Sequence, residues 1–130
     1  PIGKVQEAFN AAIKRRDGRC MIRDYEPCEG QLEASHFYTV GSTPALRFYP
    51  PNAYAQCQKH HWNHHNKSER TYKDWMAGNK GKELEYMLAA RNKFIKYTDE
   101  LKSEIVRLSD EDRLDELQAL IERLLGGAAE

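Results

Sequence analysis

No cysteine and no histidine lies outside the segment from Cys20 to His65. There are only three cysteines and five histidines in 130 residues. Three cysteines cannot all pair, which argues against a disulfide scaffold; a reducing setting with metal ligation is expected instead. No apolar run approaches the ~20 residues that cross a bilayer, so no membrane partner is expected. The first residues, Pro1-Ile2-Gly3-Lys4, lack the apolar stretch of a signal peptide, and a cytoplasmic location is expected. Net charge is absent too, 20 Lys/Arg against 20 Asp/Glu. Internal repeats and low-complexity tracts are also missing.

The balance of charge is uneven along the chain. Residues 1–80 hold 12 Lys/Arg and 8 Asp/Glu, while residues 81–130 hold 8 and 12. The half with the cysteines and histidines is therefore basic, as a binder of phosphate backbones would be.

Lys4 to Arg16 reads as a helix, with Val5, Ala8, Phe9, Ala12 and Ile13 on one stripe and Gly18 as its left-handed cap. Leu32 to Tyr38 reads as a strand and Leu46 to Tyr49 as a second. A helix is expected from about Cys57, giving a β-β-α unit. Ser68 suits the cap of a helix through Tyr72, Trp75 and Met76, with a break between Gly78 and Gly81. One helix is expected from Leu84 to Tyr97, and Asp99 to Leu108 continues or follows it. Ser109 to Asp112 resembles the cap of a last helix. Its stripe of Leu114, Leu117, Leu120, Ile121, Leu124 and Leu125, closed by Gly126-Gly127, must be covered by this chain or a second copy. The expected fold class is α+β and mostly helical. Residues 1–80 form the metal-bearing core and residues 81–130 a helical extension for packing or dimerisation.

Cys20, Cys28, Cys57 and His60 make a Cys3His set for a structural zinc ion. Two thiolates come from the loop after the first helix, and the others from a Cys-x2-His knuckle. Zinc suits such soft ligands, and a small β-β-α unit needs a staple.

His36 ends the first strand, where it is placed to take a proton from water attacking a phosphodiester. Asn52 lies at the next junction and can pin the loop without adding charge. His61 directly follows the last zinc ligand and suits a catalytic divalent ion. His65 shares the face of His61, and His64 lies on a neighbouring one.

These motifs resemble the HNH, or ββα-metal, endonucleases, and most closely the NinG/Rap recombination proteins of phages. The resemblance rests on Ala11-Ala12-Ile13-Lys14-Arg15-Arg16-Asp17, Glu33-Ala34-Ser35-His36-Phe37 and Leu46-Arg47-Phe48. It continues through Asn52-Ala53-Tyr54-Ala55-Gln56-Cys57 and Tyr72-Lys73-Asp74-Trp75-Met76. It implies a general base at His36, the middle asparagine at Asn52 and the metal-binding position at His61. It further implies a structure-selective DNA endonuclease acting on branched recombination intermediates with Mg2+ or Mn2+, in the host cytoplasm. The second cysteine lies eight positions after the first rather than three, and His60 stands where the family usually has cysteine. Ser35 replaces the metal ligand that often precedes the base, and Glu33 can supply that carboxylate. An extra residue among Trp62–Asn66 leaves the choice among His61, His64 and His65 open.

Two other readings share parts of this pattern. One is an HNH nuclease or nickase cutting ordinary duplex. The other is a zinc-stabilised DNA-binding module without chemistry, which would not need His36 or Asn52. Lys14, Arg15, Arg16, Arg47, Lys59, Lys67 and Arg70 are candidate phosphate contacts. Cutting a two-fold junction symmetrically needs two active sites, so a homodimer through the C-terminal helices is expected.

Overall fold

Val5, Phe9, Ala12 and Ile13 are all buried on one face of the first helix, α1 (Ile2–Asp17). The computed structural model describes residues 1–24 and 27–126. Gly18 closes α1 at φ 70°, and its N–H donates to the Lys14 carbonyl at 2.8 Å. The end of α1 also grips the sheet. Arg16 donates to the carbonyls of Pro50 and Ala53, and its guanidinium lies over the Tyr54 ring. The Asp17 carboxylate accepts from the Ala55 N–H at 2.8 Å.

Two strands, β1 (Leu32–His36) and β2 (Ala53–Cys57), pair antiparallel, with Leu32 opposite Cys57 and His36 opposite Ala53. The second strand thus lies seven residues beyond the start expected from sequence. Leu46 to Tyr49 is not a strand. Pro44 and Pro50 each open a short 3-10 turn, at Pro44–Leu46 and Pro50–Asn52, because proline presets their φ and lacks an N–H for a ladder. Leu46 and Phe48 are apolar because this loop is itself buried. The first strand stops at His36 because Asn52 takes the next two amides: Phe37 N–H donates to the Asn52 backbone oxygen and Tyr38 N–H to its side chain.

Helix α2 (Gln58–Asn66) follows at once, its start capped by the Cys57 sulfur, which accepts from the His60 N–H. Then come α3 (Arg70–Asn79), α4 (Gly81–Ala90), α5 (Asp99–Asp110) and α6 (Leu114–Leu124). Ser68 accepts from the Arg70 N–H just ahead of α3, although Glu69 occupies the cap position. The α3–α4 break falls at Lys80; Gly78 lies inside α3 and Gly81 opens α4.

Two helix limits differ from the sequence expectation. The helix expected through Tyr97 ends at Ala90, and residues 91–98 are non-helical. Thr98 caps α5 by accepting from the Leu101 N–H, with Asp99 and Glu100 in the favourable first turn. Ser109 to Asp112 is no cap. Ser109 is buried in the last turn of α5, and Asp112 turns the chain at φ 56°. Asp115 and Glu116 are the acids of the first α6 turn.

The stripe on α6 is covered within the chain. Leu114, Leu117, Ile121 and Leu125 are buried, Leu120 is partly covered, and Leu124 is exposed. Helix α6 packs against α5 and the Pro50–Asn52 turn, and α5 against α1. The Tyr49 hydroxyl donates to Glu122 at 2.6 Å. This cover leaves the expected second copy without most of that apolar face. Gly126 is left-handed at φ 81°, while Gly127 lies outside the described residues. Among the described residues no helix is long and apolar enough to cross a membrane.

Candidate functional site

The hairpin, α2 and the loop before β1 bring four ligand atoms together. The sulfurs of Cys20, Cys28 and Cys57 and a ring nitrogen of His60 all lie within 4.8 Å of one another. His60 Nδ1 is 3.2 Å from the Cys20 and Cys57 sulfurs and 3.9 Å from that of Cys28. Those spacings suit a tetrahedral ion with ligand bonds of ~2.0–2.3 Å. Three elements converge to make the site. The Met21 N–H donates to the Ala55 carbonyl, which ties the Cys20 segment to β2. The Gln58 and Lys59 N–H groups donate to the carbonyls of Gln31 and Glu29, which ties the Cys28 loop to α2. Gly30 permits that approach: its φ is 86°, and a Cβ there would collide with the Gln58 side chain.

The thiols themselves ask for a cation. Burial raises the Cys57 thiol, but the Glu29 and His60 N–H groups and the neighbouring cysteines more than offset it, and its pKa falls. Burial and its two neighbours push Cys28 up to about 12, and burial also raises Cys20. A divalent ion bound by all three sulfurs would favour their thiolate forms, and the soft donor set fits zinc. The cluster could therefore hold a metal ion, plausibly zinc.

His36 sits at the end of β1, 8% exposed, with its ring 5.8 Å from that of Phe9. Its Nε2 lies 2.9 Å from the Arg47 carbonyl oxygen. A carbonyl can only accept, so Nε2 carries the hydrogen and Nδ1 keeps its lone pair. Burial lowers the His36 pKa to about 4, outweighing the Arg47 carbonyl, and leaves the ring neutral near pH 7. Asn52 is fully buried. Its Oδ1 accepts from the Tyr38 N–H, and its Nδ2 donates to the carbonyls of Tyr38 and Leu46. One amide thus ties both ends of the loop that supplies the Arg47 carbonyl.

On the neighbouring surface, His61 Nδ1 lies 2.8 Å from Glu33 Oε1. Glu33 comes from β1 and His61 from α2. The His65 ring is 4.8 Å from that of His61, centre to centre. These three side chains line a groove of ≈ 740 Å³ with Lys59, Trp62 and Lys67. His64 does not line it. It is buried, with its ring stacked on Phe37 and edge-on to Tyr72, and its Nε2 lies 3.4 Å from the Phe37 carbonyl. Burial lowers the pKa of both His64 and His65.

Comparison with known families adds one decisive match. The family model described as "Bacteriophage Lambda NinG protein" covers residues 2–117. The chain belongs to the bacteriophage lambda NinG family. No curated protein and no solved structure matches it.

The candidate phosphate contacts of this NinG-family chain are dispersed. Lys59 and Lys67 line the groove. Arg15 is engaged with Asp112 and the Ser109 carbonyl, and Arg16 with the sheet. Arg47 donates to Gln6 and lies over Phe48. Arg70 pairs with Asp74 on the surface, and Lys14 is exposed in the last turn of α1. Two supports of the NinG-family site were not read from sequence. One is the Arg47 carbonyl, which no side-chain pattern encodes. The other is Tyr72, read only as a position of the helix after Ser68, whose buried hydroxyl donates to the Ser35 carbonyl at 2.7 Å and braces β1 beside His36.

Proposed function

We propose that this NinG-family protein is a metal-dependent DNA endonuclease of the HNH type, hydrolysing phosphodiester bonds and selective for branched DNA such as four-way junctions. The observation that carries this reading is the fixed His36 tautomer, Nε2 held 2.9 Å from the Arg47 carbonyl with Nδ1 left as acceptor. A zinc-stapled binding module would not require a histidine here, whereas a general base needs the acceptor nitrogen that this arrangement leaves at Nδ1.

In this reading His36 Nδ1 takes a proton from the water that attacks phosphorus. Asn52 acts through the loop, keeping the Arg47 carbonyl and so the imidazole in place. Glu33 and His61 would hold a catalytic Mg2+ or Mn2+, with His65 as neighbour. One carboxylate oxygen and one ring nitrogen at 2.8 Å fit an ion that keeps several waters. When bound, such an ion stabilises charge on the phosphate and the leaving oxygen. Lys59 and Lys67 would meet the DNA backbone along the same groove. The Cys3His cluster is structural. Selectivity for branched DNA rests on the family and on phage recombination as its setting.

The test is cleavage of a labelled four-way junction and a matched linear duplex by zinc-loaded protein, with Mg2+, with Mn2+ or without added ion. Metal-dependent cutting of the junction alone, lost in His36→Ala, is expected. Equal cutting of both substrates would remove the selectivity and keep the nuclease. Binding without cutting in any metal, with His36→Ala unchanged, would make the chain a zinc-stabilised binding module.

A further inference from the structure

Trp62 is the one large apolar side chain that the fold leaves uncovered inside the groove. Among the described residues four large hydrophobic side chains are exposed, Trp62, Leu88, Phe94 and Leu124, and only Trp62 lines the groove. It is 55% exposed, one residue after His61. The inward positions of α2 are His60 and His64, so Trp62 contributes nothing to the core of its own helix. The Lys67 ammonium lies 5.7 Å from the centre of its ring.

We infer that Trp62 is a stacking platform for an unstacked nucleobase next to the phosphodiester under attack. This rests on the DNA-nuclease reading and gives it a source of substrate choice. An indole offers a flat face that any base can cover, whatever its sequence. In a continuous duplex both faces of each base are already stacked, so the indole gains nothing there. At a branch point or in a single strand a base face is free. Lys59 and Lys67 line the same groove and supply positive charge for the phosphates flanking that base. Lys67 lies over one face of the indole, so the base would take the other face or displace it. Trp62 is thereby a specificity residue, not a catalytic one.

The test is equilibrium binding by fluorescence anisotropy, with zinc-loaded protein and without Mg2+ or Mn2+. The probes are a single strand of about 20 thymidines, a four-way junction and a matched duplex. Trp62→Ala is expected to weaken binding of the single strand and junction by about 5- to 100-fold and to leave the duplex unchanged. Trp62→Phe is expected to restore most of the loss. Tryptophan emission gives a second reading. Trp75 is buried, so quenching by the thymidine strand should vanish in Trp62→Ala.

A uniform loss on all three probes, or none on any, would overturn the proposal, and so would unchanged quenching. Because Trp62 is exposed, the variant should keep the wild-type circular dichroism. The nuclease reading fails separately: wild type that binds with the expected contrast but cuts nothing keeps the platform and loses the enzyme. Wild type that cuts junctions while Trp62→Ala binds and cuts equally well keeps the enzyme and loses the platform.

Discussion

The Asn52 amide donates to the Leu46 carbonyl at 3.1 Å, one residue before the carbonyl that holds the His36 ring. The same side chain also accepts from the Tyr38 N–H. Replacing Asn52 by alanine strands buried donors and acceptors at both ends of the loop. A loss of about 2–4 kcal/mol in urea unfolding is expected. Asn52→Asp keeps only the acceptor and sets a carboxylate against two carbonyls, so it should be no better. If the proposed chemistry holds, both variants lower the rate at saturating metal, because the imidazole is no longer fixed. Unchanged stability in Asn52→Ala would show that the loop is held some other way.

The Cys3His cluster predicts one zinc ion per chain by mass spectrometry of the purified protein. It ties the Cys20 segment, β2 and α2 together, and its removal by chelation should lower the melting temperature by on the order of 10 °C or more. Cys57→Ser should do the same, because Cys57 also caps α2 and accepts from Glu29. Metal-free protein that melts as the loaded form does would contradict a structural role.

Much of this site was legible because cysteine and histidine are chemically marked residues. Cys20, Cys28, Cys57 and His60 converge as their types suggested, and Glu33 meets His61. The misplaced strand had a physical cause. Leu46 to Tyr49 is apolar because the loop is buried, and only the flanking Pro44 and Pro50 mark it as turn. Ser109 misled for a related reason. A serine followed by acids looks like a cap, but the stripe of Ile105 and Leu108 continues the helix through it. His64 and His65 are adjacent and identical in type, so only packing against Phe37 and Tyr72 tells them apart.

Glu33 and His61 form a half-exposed pair, with side chains 42% and 26% exposed. Such a pair contributes little to folding, ~0–1 kcal/mol. Glu33→Gln should therefore melt like wild type. As a metal ligand its loss should raise the Mn2+ needed for half-maximal cutting about tenfold or more, with partial rescue at high Mn2+. His36→Ala should not be rescued in that way. A Glu33→Gln protein with the wild-type metal requirement would remove Glu33 from the ion site.

Ile121 and Leu117 are fully buried on α6, between α5 and the Pro50–Asn52 turn. Ile121→Ala should cost about 2–5 kcal/mol of stability. Light scattering before unfolding should show the same particle mass as wild type. Loss of a dimer with the fold intact would mean that this face also serves a second copy.

His36 makes stability depend on pH in a defined direction. Burial holds its folded pKa at about 4, against an ordinary 6.5. Between those values the unfolded chain binds a proton that the folded chain refuses, so stability rises with pH across the window. The contribution is complete above pH 6.5, is lost as pH falls from 6.5 to 4, and changes no further below. Its size is about 3 kcal/mol. His64 acts in the same direction, and protonation of the zinc ligands adds a loss common to every variant. His36→Gln isolates the effect, since its amide can still donate to the Arg47 carbonyl but does not titrate. Urea unfolding of both proteins at pH 6.5 and 4, with zinc saturating, should show the wild type losing about 3 kcal/mol more than the variant. Equal losses would mean that the folded ring titrates as the unfolded one does, near 6.5, and that burial does not depress it.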